Sequence, residues 1–253
     1  MSPLAPVGRR TILAAGLMLL WGSSAPAQTV GYTTSIAGVH GTYPLDRVDG
    51  MYVFNAVDLS VGRVRASIAV PFVRLTSEPL LTDPTVATAP ITSTGLADPL
   101  IRVDVRMTDI RAARGQFSLA VAAKPSMVDA STGRETGRSD YAVGGSAFGI
   151  RRRTSFLADV LYWKYGDPPE FDFPNTVSFS VGAAQMLGRG RWSASASLSG
   201  FTTGIEGLPA PLLLNVGVLT LVGGRQSLGF TASIGLNEGA SDFAFGTSWR
   251  VVR

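Results

Sequence analysis

Residues 191–201 read RWSASASLSGF, and their alternation decides the fold. On an extended chain Trp192, Ala194, Ala196 and Leu198 fall on one face and Ser193, Ser195, Ser197 and Ser199 on the other, because successive strand side chains point to opposite sides. A strand of this kind has an apolar face and a small polar one. Residues 227–236 repeat the pattern, with Leu228, Phe230, Ala232, Ile234 and Leu236 set against Ser227, Gly229, Thr231, Ser233 and Gly235. It recurs at Val177, Phe179, Val181 and Ala183, at Phe117, Leu119, Val121 and Ala123, at Ile101, Val103, Val105 and Met107, and at Val64, Ala66, Ile68, Val70 and Phe72. No apolar stripe of helical period runs over a comparable length. The chain is all-β.

Working outward, strands are expected at about 29–38, 51–61, 63–75, 98–109, 116–126, 140–150, 153–165, 175–187, 191–203, 211–222, 226–237 and 241–253, about twelve in all. The gaps between them alternate: long at 39–50, 76–97, 127–139, 166–174 and 204–210, with a shorter sixth at 238–240, and short at Gly62, 110–115, 151–152, 188–190 and 223–225. An even number of antiparallel strands with long connections at one end and short turns at the other is the pattern of a transmembrane antiparallel β-barrel of the bacterial outer membrane. A soluble β-sandwich also alternates, but it decorates its wet face with Lys, Glu and Thr. Here the polar faces hold mostly Ser, Gly and Ala, which suit a crowded lumen. Trp192, Tyr162, Trp163, Phe156, Phe179, Phe243 and Trp249 fall near strand ends, where barrels place their interfacial aromatic girdles.

Composition agrees. Of 253 residues 45% are hydrophobic and only 16% charged, with 29 Gly, 15 Pro and no Cys. Without Cys there are no disulfides, thiolate metal sites or thiol nucleophiles. Lys+Arg number 22 against 18 Asp+Glu. Arg9 and Arg10 lie in an acid-free opening segment, which leaves the remainder nearly balanced. No basic stripe is available for phosphate backbones, so a nucleic-acid partner is not expected.

The opening segment reads as an export signal rather than as structure. Arg9 and Arg10 form its basic region, Ile12 to Trp21 its apolar stretch, and Ala25-Pro26-Ala27 a small-x-small cleavage site. Ten apolar residues are about half of what a transmembrane helix needs. Residues 1–27 are therefore expected to be a signal peptide cleaved after Ala27, and residues 28–253 the barrel. The general secretory route is preferred over the twin-arginine route, because a membrane barrel cannot be exported already folded.

Three short segments carry a family likeness. Thr94-Gly95-Leu96-Ala97-Asp98-Pro99 leads into a strand bearing Arg102, Asp104 and Arg106; Gly137-Arg138-Ser139-Asp140-Tyr141 enters a Gly-rich strand; and residues 235–243 read GLNEGASDF. In this order they resemble segments of the outer-membrane transporter family named for the meta-pathway of phenol degradation. The resemblance implies an outer-membrane barrel without a defined catalytic site that moves hydrophobic or aromatic compounds. Two positions depart from the family pattern. Ala97 stands for its second Gly, and Arg253 stands where such barrels end in an aromatic residue read by the barrel assembly machinery.

Catalytic, metal and cofactor chemistry finds little support. The single His, His40, falls in the expected first long loop and is the only candidate general base for a lipid-acting Ser hydrolase. Asp167, Glu170 and Asp172 share a Pro-rich loop, which reads as a solvated tip before it reads as a divalent-cation site. Residues 133–137, GRETG, lack the Lys-Ser/Thr of a phosphate-binding loop.

The informative constellation is charge on the polar faces. By parity Arg63, Arg65, Arg102, Asp104, Arg106, Lys124, Asp159, Asp242 and Arg250 are expected to point into the lumen, since a charge facing lipid at mid-depth costs ~2–4 kcal/mol. They can line a pore that guides small anionic or aromatic solutes, or pair across strands and plug it. The working expectation is a passive channel or transporter, with a plugged surface-interaction barrel as the alternative and a barrel enzyme last. The expected partners are outer-membrane lipid and lipopolysaccharide, the barrel assembly machinery and a small-molecule solute. Residues 76–97 are the candidate inward-folded constriction.

Overall fold

A computed structural model of the chain describes residues 29–43, 46–79, 90–110, 114–132, 134–167, 173–203 and 209–253. The expected signal peptide, 1–27, lies outside the described residues. The strands are β1 (Thr29–Thr42), β2 (Asp46–Val61), β3 (Val64–Pro79), β4 (Ile91–Leu96), β5 (Leu100–Ile110), β6 (Gly115–Lys124), β7 (Asp140–Arg151), β8 (Thr154–Lys164), β9 (Thr176–Leu187), β10 (Trp192–Phe201), β11 (Leu212–Leu221), β12 (Gln226–Gly235) and β13 (Phe243–Val252).

Apart from β4 and β5, which both pair with β3, sequential neighbours pair antiparallel, and β1 pairs with both β2 and β13, which closes the sheet. The seam is sealed to its last residue: Val30 N–H donates to Arg253 C=O at 3.0 Å and Arg253 N–H to Val30 C=O at 2.8 Å. Closure matters because hydrocarbon offers no partner to an unpaired backbone edge. β4 and β5 are one stave. Both pair with β3, and the register moves by one residue between Phe72↔Leu96 and Ala69↔Leu100, a bulge at Ala97-Asp98-Pro99 where Pro99 has no N–H to give the ladder. The thirteen strands therefore form a closed, twelve-staved antiparallel barrel.

Alternation sorts the side chains as the sequence implies. Val57 and Leu59, Val64 and Ile68, Leu119 and Val121, Val216 and Val218, and Phe230 and Ile234 are exposed on the outer surface, while Ser199, Asn215, Ser233 and Ser248 are buried on the inner one. An exterior this apolar is what a lipid-facing barrel needs. Trp163 departs from the expected girdle. It faces inward, where its Nε1–H donates to Ser178 Oγ at 2.9 Å, and Tyr162 beside it is the outward residue of the two.

Three connections differ from expectation. The first is not a long loop: β1 and β2 stay paired through Val39↔Gly50 and His40↔Asp49 to Thr42↔Arg47, because Val48 and Tyr43 bury in the apolar cluster described below. Segment 76–97 is partly ladder, with β3 and β4 paired from Phe72↔Leu96 to Ser77↔Ile91; its tip, 80–89, lies outside the described residues. The β2–β3 turn takes two residues, Gly62 and Arg63, between paired Val61 and Val64. One residue cannot reverse an antiparallel pair, and Gly62 supplies the positive φ (59°) a tight hairpin requires.

Candidate functional site

The lumen is built from the inward residues of each stave, and its charges gather on one side. At mid-height Arg102 of β5 lies between two carboxylates. Its Nε and Nη2 donate to Asp104, the shortest contact being 2.8 Å, and its Nη1 and Nη2 donate to Asp159 of β8 at 3.2 and 2.5 Å. Arg102 and Asp104 are 5% and 7% exposed. Asp159 is three staves from β5, so the contact must arch over β6 and β7. The residues beneath it are small: Arg102 registers with Ala122, which pairs Ala142, and Asp104 registers with Ala120, which pairs Gly144. That floor leaves room for a planar guanidinium with a carboxylate on each side.

A second cluster stands at the closing seam. Asp58 of β2 accepts from Arg250 Nη2 of β13 at 3.1 Å and meets Arg65 Nη2 of β3 at 3.6 Å. The contact to β13 crosses β1 at Gly31, where any Cβ would come within 2.5 Å of the Asp58 carboxylate. Glycine at this position lets the ion pair straddle the seam.

The third cluster stands at the long-loop end. Lys124, the last residue of β6, pairs with Glu135 at 2.7 Å and with Asp140 of β7 at 3.5 Å. Glu135 belongs to connection 125–139, which is also held from the other side. Asp98, 2% exposed, accepts from the N–H of Met127 (2.7 Å) and Val128 (2.9 Å), and its own N–H donates to Glu135 Oε1 at 3.0 Å. Arg134 donates to Ser93 Oγ and to the carbonyls of Thr94 and Leu96, passing so close to Gly95 that an added Cβ would meet its guanidinium at 3.0 Å. Connection 125–139 is thus tied down from both sides, while the tip of the expected 76–97 constriction, 80–89, lies outside the described residues.

The rest of the wall differs in kind. On β10 to β12, Asn215 donates to Ser199 Oγ at 2.9 Å and accepts from Ser233 Oγ at 2.7 Å. Toward the long-loop end of β1 to β4, the inward residues are apolar: Tyr43, Val48, Tyr52, Val73, Leu75 and Ala97 form one buried cluster, and the rings of Tyr52 and Phe54 stack at 5.9 Å. This apolar wall was not anticipated, although Tyr52 and Phe54 share a strand parity with Asp58.

Of the expected lumen charges, Arg65, Arg102, Asp104, Lys124, Asp159 and Arg250 meet in these three clusters. Arg106 sits lower on β5 and is partly exposed, with Asp109 at 3.8 Å. The other two lie beyond the strand ends. Arg63 is exposed in the β2–β3 turn, because the hairpin needs two residues. Asp242 is exposed before β13, where its carboxylate accepts from Thr42 N–H at 3.0 Å. Asp58 and Asp140 were missed although parity shows them, as was Asp98 at the start of the expected 98–109 strand; Glu135 lies off the strands and gives no periodic signal. His40 lies on β1 rather than in a loop, with Nδ1 2.7 Å from Asp49 and its ring stacked on Phe243 at 5.1 Å. Asp167 accepts from Phe173 N–H at 2.9 Å, while Glu170 and Asp172 lie outside the described residues, as does Gly133.

No family model and no curated protein matches the chain in sequence. Solved structures match its fold. An outer-membrane channel from Pseudomonas putida F1 superposes with a TM-score of 0.69 at 10% identity, over 92% of this chain and 97% of that one. The translocator domain of the autotransporter NalP from Neisseria meningitidis gives 0.56 at 10% identity, over 90% and 89%. The fold is that of bacterial outer-membrane barrels.

Proposed function

We propose that the chain is a passive outer-membrane channel for small molecules. The observation that carries this reading is a closed barrel with an apolar exterior whose inward polar face keeps solvent-reachable positions: Ser195, which registers with Gly217, is exposed. A barrel whose interior were filled like a protein core would bury it. The fold likeness to an outer-membrane channel supports the same reading.

The charges bear on solute class. Arg65, Arg102 and Arg250 are matched by Asp58, Asp104 and Asp159, so this belt does not present a net positive face to a carboxylate. Weakly charged and aromatic solutes fit better than strongly anionic ones, and the apolar wall around Tyr52 and Phe54 suits them. This agrees with the transporter family that the three segments resemble, all of which sit at the long-loop end. There the third segment ties connections together through Asn237, whose Nδ2 donates to Ala210 C=O at 2.7 Å. Residues 1–27 act as the export signal, and lipopolysaccharide and the barrel assembly machinery are the partners of insertion.

A second reading, a barrel plugged by connection 125–139, is favoured by one observation: Glu135 is salt-bridged to inward-facing Lys124. Planar-bilayer conductance of the refolded chain separates the two. Discrete steps that grow in Glu135→Gln, whose connection is less tightly held, support a channel gated at the mouth. A folded barrel that stays silent in both forms would sink the channel and leave the plug.

A further inference from the structure

Charge is distributed unequally along the barrel axis. Each of the five short turns holds at least one exposed arginine: Arg63, Arg114, Arg152 with Arg153, Arg189 with Arg191, and Arg225. Arg151 stands beside them, and Arg253 ends the chain at the same rim. The five turns (62–63, 111–114, 152–153, 188–191 and 222–225) contain no Asp or Glu, and none of these arginines makes an ion pair among the described residues. The opposite end is mixed, with Asp98, Asp129, Glu135, Glu238 and Asp242 in its connections.

We infer that this arginine ring binds the phosphate headgroups of anionic phospholipid in the leaflet at the short-turn end; the inference rests on the membrane reading above. Three features select this occupant. The arginines follow the whole circumference, as an annulus of lipid does, whereas a globular partner would touch one arc. They lie just beyond Trp192 and Trp249, which are exposed on the outer face near the same rim, and Trp settles at headgroup level. Trp249 Nε1–H donates to Gln226 Oε1 at 3.3 Å, so its polar edge points to the rim. Finally, a guanidinium grips phosphate through two parallel N–H donors, and an unpaired one facing water has all of them free.

The test uses these tryptophans. The full chain is refolded into phosphatidylcholine vesicles containing brominated phosphatidylglycerol or, at the same mole fraction, brominated phosphatidylcholine, and Trp quenching gives the relative association constant of the two lipids. The expected preference for phosphatidylglycerol is at least about fivefold, one arginine's attraction to an anionic surface. It falls to about one in the Arg189→Gln/Arg191→Gln/Arg225→Gln variant, and also in wild type at 1 M NaCl, a concentration that shrinks the screening length to ~3 Å. Barrels that insert, shown by heat-modifiable migration, yet display no preference in wild type overturn the inference and leave the membrane reading intact. So does a preference that survives both salt and substitution. Failure of wild type to insert into any vesicle would overturn both.

Discussion

The two halves of the lumen wall hold themselves together by different means. Across β2 to β8 the wall carries long charged side chains that act over distance: Arg102 reaches Asp159 over two intervening staves, and Asp58 reaches Arg250 of β13 over Gly31. Across β9 to β12 they are short and uncharged, and they bond their immediate neighbours, as Ser199, Asn215 and Ser233 do on three successive staves. The first half concentrates its stability in a few groups that must all be present. The second spreads it over many groups that matter little one by one.

The largest break in this comparison is Arg102→Leu. It strands Asp104 and Asp159 without their cation, and removing one partner of a buried ion pair costs about 3–5 kcal/mol; the midpoint of heat-modifiable migration should fall steeply. Replacing Arg102, Asp104 and Asp159 together by Met, Leu and Leu should recover most of that loss, since no charge is then left unpaired. A triple variant as unstable as Arg102→Leu would mean that packing, not charge, explains the effect.

Gly31→Leu comes next. Its side chain occupies the passage between Asp58 and Arg250, and overpacking of this kind costs about 1–3 kcal/mol. Urea unfolding in detergent micelles should show the loss, and Gly31→Leu combined with Asp58→Ala should show less of it. On the uncharged side, Asn215→Leu leaves Ser199 and Ser233 without their shared partner, at about 1–3 kcal/mol by the same assay. Ser195→Ala should lie within about 0.5 kcal/mol of wild type, because this exposed hydroxyl anchors no network. If Ser195→Ala cost as much as Arg102→Leu, the contrast between the halves would be lost.

Much of this was legible in the sequence, though unevenly. The stretch RWSASASLSGF became β10 with the faces its alternation implies, and Arg102 and Asp104 fell on the inner side for the same reason. Parity reads whether a residue points in or out because it depends only on the local backbone. It fails where the ladder is irregular. Arg63 lies in the turn and not at the start of a strand because hairpin geometry takes one more residue than Gly62 alone, and Ala97-Asp98-Pro99, read as a loop end followed by a strand from residue 98, is a bulge whose Asp98 anchors connection 125–139. Glu135 has no periodic context, so nothing in the sequence marked it as a partner of Lys124.

The sequence by itself determined the class of the molecule: an all-β chain, apolar outside and polar within, closed because alternating strands in hydrocarbon cannot leave an edge unpaired. Only the tertiary structure decided which charges meet. Arg102 and Asp159 are separated by 57 positions, and their contact depends on stave order, register and the smallness of Ala120, Ala122, Ala142 and Gly144 beneath them. Local periodicity fixes the direction of a side chain; what it touches is set by curvature and by the size of its neighbours' side chains, which become defined only when the barrel closes.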